Sequence, residues 1–235
     1  MLHSVLHFDP LYLLFLAPGM LLSLWASARV KSTFQRYSRV ASRRGYTGAE
    51  AARELIRRRG VSGVRVEMTQ GFLSDHYDPR ARVLRLSPDV YQGRSLAALG
   101  VAAHEAGHAI QHATSYGPLK FRSMVVKPAM IGSNLGTVLA GIGLFMQSTG
   151  LLWAGIVFFA AFVLFTLVTL PVEFDASKRA VVALQETGMI YADEVDGTAA
   201  VLKAAALTYV AAAVSALLQL LYFLLRAGVL GDRRD

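Results

Sequence analysis

Four long apolar stretches limit what this chain can fold into. They occupy residues 10–28, 128–146, 151–170 and 204–225. Each holds about 20 residues, which is the length an α-helix needs to cross the hydrocarbon core of a bilayer. Hydrophobic residues make up 54% of the chain, and its mean hydropathy of +0.42 is too high for an ordinary soluble domain. The sequence therefore predicts a mainly α membrane protein with about four transmembrane helices, organised as a single integral membrane domain over residues 1–235.

The charged segments between these stretches predict the orientation in the membrane. Residues 29–94, directly after the first stretch, contain 15 Lys and Arg against six Asp and Glu, and such basic segments stay in the cytoplasm. We therefore expect a multi-pass membrane protein, with residues 29–127 and 171–203 forming a cytoplasmic portion. Because the net charge is +8, we expect basic residues of this portion to contact membrane lipids. Nucleic-acid binding is disfavoured, because no recognition module is visible.

Residues 96–112 contain the motif H-E-x-x-H within an Ala- and Leu-rich segment that predicts one buried helix. Four residues advance a helix by about 400°, so His104 and His108 lie on one face, one turn apart. Two imidazoles in this arrangement can bind one divalent ion, and Glu105 beside them is free to act on a metal-bound water. The chain has no cysteine, which excludes thiolate ligands. We expect one Zn²⁺ per chain, because imidazole and carboxylate suit zinc.

A catalytic zinc site needs a third protein ligand. His112 lies one further turn along the same helix, but three ligands on one straight helix cannot surround a tetrahedral ion, so we expect it to pack or to support a ligand. Glu173 and Asp175 stand where the third apolar stretch ends. A carboxylate there is costly unless it faces water, a cation or a metal. Either one could be the ligand, and an interfacial ion pair with Lys178 or Arg179 is the alternative.

The segment before the histidine helix contains two runs of β-type residues, 64–68 and 81–86, joined by a loop that includes residues 75–79. They predict a small β-hairpin or sheet. In a protease, an edge strand of such a sheet could hold an extended substrate by backbone pairing, while a purely structural hairpin is the competing interpretation. Further upstream, Thr47 and Glu50 form a capping box that opens a short amphipathic helix ending near Arg59.

These residues resemble a known family. The resemblance rests on H-E-A-G-H-A-I-Q-H-A at 104–113, D-H-Y-D-P at 75–79, L-S-P-D-V-Y at 86–91, P-V-E-F-D-A-S at 171–177 and A-A-L-T-Y-V-A-A at 205–212. Together they cover nearly the whole chain and look like the bacterial YugP-like neutral zinc metallopeptidases. More distantly, the order of motifs is similar to that of the HtpX and CAAX prenyl membrane proteases. In that wider group the Glu of E-x-x-x-D is the third zinc ligand, which implies Glu173 here. The Asp of that pattern is replaced by Ser177.

The resemblance implies a zincin-like cytoplasmic portion in a zinc-dependent endopeptidase of the bacterial inner membrane. Its substrates would be membrane or membrane-proximal proteins or peptides. Zinc lowers the pKa of a bound water towards about 7, and Glu105 would accept its proton during attack on the peptide carbonyl. Candidate donors or substrate contacts without an assigned role are His76, Arg122, Asn134 and Tyr209.

Two other functions compete with this interpretation. A non-catalytic metal-binding scaffold or transporter component would also place histidines near a membrane, but it needs no free carboxylate such as Glu105 beside the metal. An intramembrane site-2-type protease also uses H-E-x-x-H. That group pairs the motif with an Asp inside another span, whereas Glu173 lies just beyond one.

Overall fold

The structure, a computed structural model, describes residues 9–228, so residues 1–8 and 229–235 of the predicted domain lie outside the described range. The helices and strands, in chain order, are α1 (Pro10–Ser38), α2 (Gly48–Arg58), β1 (Arg65–Met68), β2 (His76–Asp78), β3 (Val83–Leu86), α3 (Pro88–Tyr91), α4 (Leu96–Ala113), α5 (Gly117–Phe145), α6 (Thr149–Glu186), a 3₁₀ turn (Ala192–Glu194) and α7 (Val195–Arg226).

Four helical segments of the described chain are long and apolar enough to cross a membrane: α1, α5, α6 and the segment Ala192–Arg226 that ends in α7. The prediction of a mainly α membrane protein with four candidate spans is therefore confirmed. The helices run further than the apolar stretches do. Helix α6 continues through Pro171 to Glu186, although a proline usually ends a helix. Its continuation is stabilised by packing, since Val172, Ala176 and Ala180 are fully or almost fully buried.

The contacts within the chain form two compact units. The first, called here the membrane unit, comprises residues 1–25, 122–168 and 209–235, of which 9–228 are described. Within it, α5 and α6 approach backbone to backbone: a Cβ on Gly132 would lie 2.4 Å from the carbonyl oxygen of Phe158. Helices α1 and α7 run antiparallel, since Tyr222 near the end of α7 donates to Asp9 just before α1 (2.9 Å), while Gly19 further along α1 lies against Ser215, which is earlier in α7. Small residues permit such close approach between membrane helices.

The second unit, called here the helix–sheet unit, comprises residues 26–121 and 169–208. Its sheet has the strand order β1-β3-β2, with β1 and β3 parallel and β2 antiparallel to β3. The two predicted β runs are confirmed as strands, but they do not form a hairpin with each other. The segment between them, predicted as a loop, contributes β2, which forms the hairpin with β3. The predicted capping box at the start of α2 is also confirmed.

Helix α4 lies in the core of the helix–sheet unit and passes close to α6. Its Ala-rich surface is buried together with Leu99. At Gly107, inside the histidine motif, an added Cβ would lie only 2.8 Å from the carbonyl oxygen of Ala176 on α6. The two backbones can therefore approach closely only because this position is glycine. The contact brings the two histidines of α4 beside the residues that follow Pro171.

Candidate metal centre

The structure brings three potential ligands together within the helix–sheet unit. Helix α4 presents His104 and His108, whose ring centroids lie 4.7 Å apart, and α6 presents Glu173, which is only 1% exposed. Oε2 of Glu173 lies 3.2 Å from Nε2 of His104 and 3.4 Å from Nε2 of His108. One ligand atom from each residue falls within 4.8 Å of the other two, so the group could hold a metal ion.

Two of the three distances between these atoms fit zinc. A tetrahedral zinc ion with ligand bonds of about 2.0–2.1 Å keeps neighbouring ligand atoms about 3.3–3.4 Å apart, and the two distances to Glu173 are 3.2 and 3.4 Å. Two imidazoles and one carboxylate form the donor set of catalytic zinc sites, with a fourth position left for water or substrate. Calcium and magnesium prefer sites built wholly from oxygen.

The electrostatics of the site favour a cation. Burial disfavours charge on His108, but its hydrogen bond with Glu173 and the negative charges of Glu105 and Glu173 outweigh that effect and raise the pKa of His108. The direction of this shift shows that the surroundings of the imidazole favour a positive charge, because negative charge lies close to it. A bound divalent cation would balance the same charge directly.

Side chains behind the two imidazoles contact their other ring nitrogens. Nδ1 of His104 lies 3.1 Å from the hydroxyl of Ser177, and Nδ1 of His108 lies 3.0 Å from Oε1 of Gln111. Ser177 occupies the position that departs from the E-x-x-x-D pattern, and no role was predicted for it from the sequence. Gln111 was missed altogether, although its i, i+3 spacing from His108 places the two side chains on neighbouring turns.

Asp175, which the sequence left open as an alternative ligand, has hydrogen-bond partners other than the two histidines of the cluster. Its Oδ2 accepts a hydrogen bond from Nε2 of Gln111 (2.8 Å) and one from Nε of Arg179 (2.5 Å). It is not part of the group that could hold a metal among the described residues. The ion pair with Arg179, considered from the sequence as an alternative for this segment, is thus present at Asp175.

Glu105 follows His104 directly on α4 and its side chain is buried. It lies near a second carboxyl group, Asp75, on the loop that precedes β2. Burial raises the pKa of Asp75, two hydrogen bonds from Ser87 oppose that rise, and the charge of Glu105 adds to it. The motif at 75–79 therefore brings an acidic side chain towards the proposed general base.

The other candidate residues fall into two groups. In the helix–sheet unit, Nδ1 of His112 lies 2.8 Å from the hydroxyl of Tyr77, which links α4 to β2, and the ring of His76 lies 2.8 Å from the backbone oxygen of Ser74. His112 lies outside the cluster of three potential ligands. Candidates that belong to the membrane unit are Arg122, Asn134 and Tyr209.

The fold and the cluster together define a class: membrane proteins with a His-His-Glu group suited to zinc. Sequence comparison agrees. The profile of the family described as "Putative neutral zinc metallopeptidase" matches residues 12–228, and the chain belongs to this family. One relative, "Putative membrane protease YugP" of Bacillus subtilis (strain 168), is 47% identical over 204 residues, which cover 87% of this chain and 91% of the relative. The predicted resemblance is confirmed. No solved structure shows a significant match.

Proposed function

We propose that this chain is a zinc-dependent endopeptidase that hydrolyses peptide bonds of membrane or membrane-proximal proteins. One zinc ion per chain is held by His104, His108 and Glu173, and Glu105 is the general base. The observation that carries the proposal is that Nε2 of each histidine lies 3.2 or 3.4 Å from the carboxylate of Glu173. A second carboxyl-bearing residue, Glu105, follows His104 directly. Membership of a zinc metallopeptidase family and the name of the relative support it.

The chain's own residues supply binding and proton transfer. Zinc, when bound, supplies a Lewis acid that polarises the peptide carbonyl and acidifies water. The carboxylate of Glu105 accepts a proton from the attacking water and returns it to the departing amine. Glu105 and His108 are each only 8% exposed. Because few solvent molecules surround them, their electrostatic interactions are stronger than they would be in water.

Strand β2 offers a place for an extended substrate. It forms the edge of the sheet next to β3 and packs against α4, the helix with both histidines. Among the described residues only β3 pairs with it, so its other edge retains backbone groups that can pair with a peptide. Such pairing recognises the peptide backbone, so the proposed substrate class is an unfolded or extended segment.

Metal removal tests the proposed function. The purified chain in lipid nanodiscs, loaded with zinc, is expected to cleave an unfolded protein such as reduced casein. A zinc chelator should reduce cleavage by at least about tenfold, because the Lewis acid is lost, and added zinc should restore it. Peptide products are measured by mass spectrometry. Zinc binding without cleavage of any unfolded or membrane-embedded substrate would instead favour a non-catalytic scaffold.

We further propose that the active site faces the cytoplasm of a bacterial cell, in its inner membrane. The support is the excess of Lys and Arg in residues 29–94, since basic segments next to a span stay inside. Helices α5 and α6 form two consecutive candidate spans between His108 and Glu173. An even number of crossings returns Glu173 to the side of His108, as a shared metal requires.

Cysteine labelling tests this orientation in a chain that has no cysteine of its own. Three variants each carry one cysteine, in place of Arg57, Glu186 or Thr149. All three residues are exposed. In intact cells, a membrane-impermeant reagent should label position 149 and leave 57 and 186 unlabelled until the cells are permeabilised. Labelling at 57 in intact cells, or different outcomes at 57 and 186, would refute a cytoplasmic site.

A further inference from the structure

Gln111 is a polar side chain with no exposed surface, at 0%, one turn beyond His108 on α4. A buried amide that lacks hydrogen-bond partners is costly, so its contacts must account for its presence. Its Nε2 donates to the backbone oxygen of Val172 (2.9 Å) and to Oδ2 of Asp175 (2.8 Å), while its Oε1 faces Nδ1 of His108 (3.0 Å). Both ends of the amide are therefore occupied.

These partners determine which way the amide points. The oxygen of Val172 can only accept a hydrogen bond, and so can the carboxylate of Asp175, which is paired with Arg179 at 2.5 Å. Both amide hydrogens of Gln111 are therefore directed to them. A flipped amide would place its oxygen against two acceptors and its NH₂ against His108, and neither acceptor would then receive a hydrogen bond from position 111.

The orientation of the amide fixes the proton on His108. With the carbonyl of Gln111 at 3.0 Å, Nδ1 of His108 must carry a hydrogen and donate it. In the neutral ring, Nε2 then has the free lone pair, and Nε2 is the atom that lies 3.4 Å from Glu173 in the cluster. A metal ligand needs this lone pair.

We propose that Gln111 is a positioning residue for the metal centre: it holds His108 in the Nδ1–H tautomer, with Nε2 directed at the ion. The proposal rests on the zinc site proposed above. The chain of contacts extends from His108 through Gln111 and Asp175 to Arg179. Groups that contact the outer nitrogen of a metal-bound histidine typically strengthen metal binding 10- to 100-fold. Asp175 thereby acts on the metal through Gln111, without being a ligand.

The two histidines differ in this respect. The hydroxyl of Ser177, 3.1 Å from Nδ1 of His104, can donate or accept and can rotate. It therefore satisfies His104 in either tautomer. The amide of Gln111, whose orientation is fixed by two acceptors, is compatible with only one tautomer of His108. We expect the ligand geometry at His108 to depend on its neighbour more strongly than that at His104 does.

The test measures zinc affinity by chelator competition on the purified full-length chain in detergent. Gln111→Met keeps the volume but removes the acceptor, and it is expected to weaken zinc binding by roughly 10- to 100-fold. The matched control is Thr198→Val, which removes another fully buried polar group of the same unit, one that contacts the backbone of Glu194. Zinc affinity of the control should stay within about threefold of the wild type, even where its thermal stability falls.

A charge exchange provides a second variant whose result does not depend on whether Gln111→Met folds. Gln111→Glu alone sets two carboxylates against each other and should weaken zinc binding. Adding Asp175→Asn places an amide donor opposite this carboxylate, so that the carboxylate at position 111 accepts from Nδ1 of His108 on one side and from the new amide on the other. The double variant should therefore recover most of the loss. This recovery is not expected if position 111 only fills space.

The outcomes separate this inference from the proposed function. If the wild-type chain binds no zinc, or if His104→Ala leaves binding unchanged, then the zinc site itself is wrong. A different outcome is that the wild type binds zinc through His104 while Gln111→Met has the same zinc affinity, or loses no more affinity than Thr198→Val does. In that case the proposed role of Gln111 is wrong. Failure of Asp175→Asn to improve zinc binding by Gln111→Glu would also overturn it.

Discussion

Glu105→Gln is expected to lower peptide-bond cleavage by on the order of a hundredfold or more while the fold and the zinc content stay unchanged. The amide has nearly the same shape as the carboxylate, but it cannot accept a proton from the attacking water. Because Glu105 is outside the group of three potential ligands, its replacement leaves the metal contacts in place. The turnover of the zinc-loaded variant and its zinc content are measured on the same preparation.

A second buried glutamate provides the matched control. Glu194, 6% exposed, accepts hydrogen bonds from the backbone of Arg43 and of Tyr191, so Glu194→Gln is expected to affect stability and to leave turnover of the folded protein within a few-fold. Cleavage at the wild-type rate by Glu105→Gln would show that Glu105 is not the base. Loss of zinc in proportion to activity would instead assign Glu105 a ligand role.

Glu173→Ala is expected to release most of the zinc, whereas Asp175→Ala should retain more of it. Apparent binding free energies of structural zinc sites, which have four protein ligands, are about 10–16 kcal/mol. The loss of one ligand therefore corresponds to roughly 3 kcal/mol, or on the order of a hundredfold in affinity. Asp175 acts only through Gln111, and its loss should cost about tenfold. Affinity is measured by chelator competition.

Elemental analysis completes this comparison. The wild type should contain about one zinc per chain, and Glu173→Ala much less than that after dialysis. Asp175 lies two residues beyond Glu173 on the same helix, so the paired substitutions remove a carboxylate from nearly the same place in the fold. Greater loss of zinc from Asp175→Ala than from Glu173→Ala would make Asp175 the ligand. No zinc in the wild type, even after supplementation, would contradict the metal site as a whole.

The sequence alone predicted the features that depend on short-range periodicity and length. Apolar stretches of about 20 residues predicted four candidate spans, which are confirmed. The capping box at Thr47 and Glu50 correctly predicted where α2 begins, because a cap is satisfied by residues three apart. The i, i+4 spacing of the histidines placed them on one face of α4, since the helical repeat requires it. The roles of these histidines and of Glu105 stay predictions.

The pairing of the strands could not be predicted, because it is a long-range contact. The runs at 64–68 and 81–86 predicted strands, but not that β1 and β3 would pair in parallel. Strand β2, which lies between them in sequence, pairs with the other edge of β3. Strand propensity says little about which neighbour a strand finds. The same holds for Pro171, where packing of the following residues keeps α6 helical beyond the predicted end of the span.

The surroundings of the histidines were likewise decided by tertiary structure. Glu173 and Asp175 lie two residues apart on α6, about 200° around its axis, so only one of them can reach the two histidines of α4. Residue spacing cannot tell which one, and only the family resemblance favoured Glu173. Close contact between Gly107 and the backbone of Ala176 sets the rotation of α6 that turns Glu173 to the histidines and Asp175 to Gln111. Helical periodicity fixes which residues share a face, but packing against a second helix decides what that face meets.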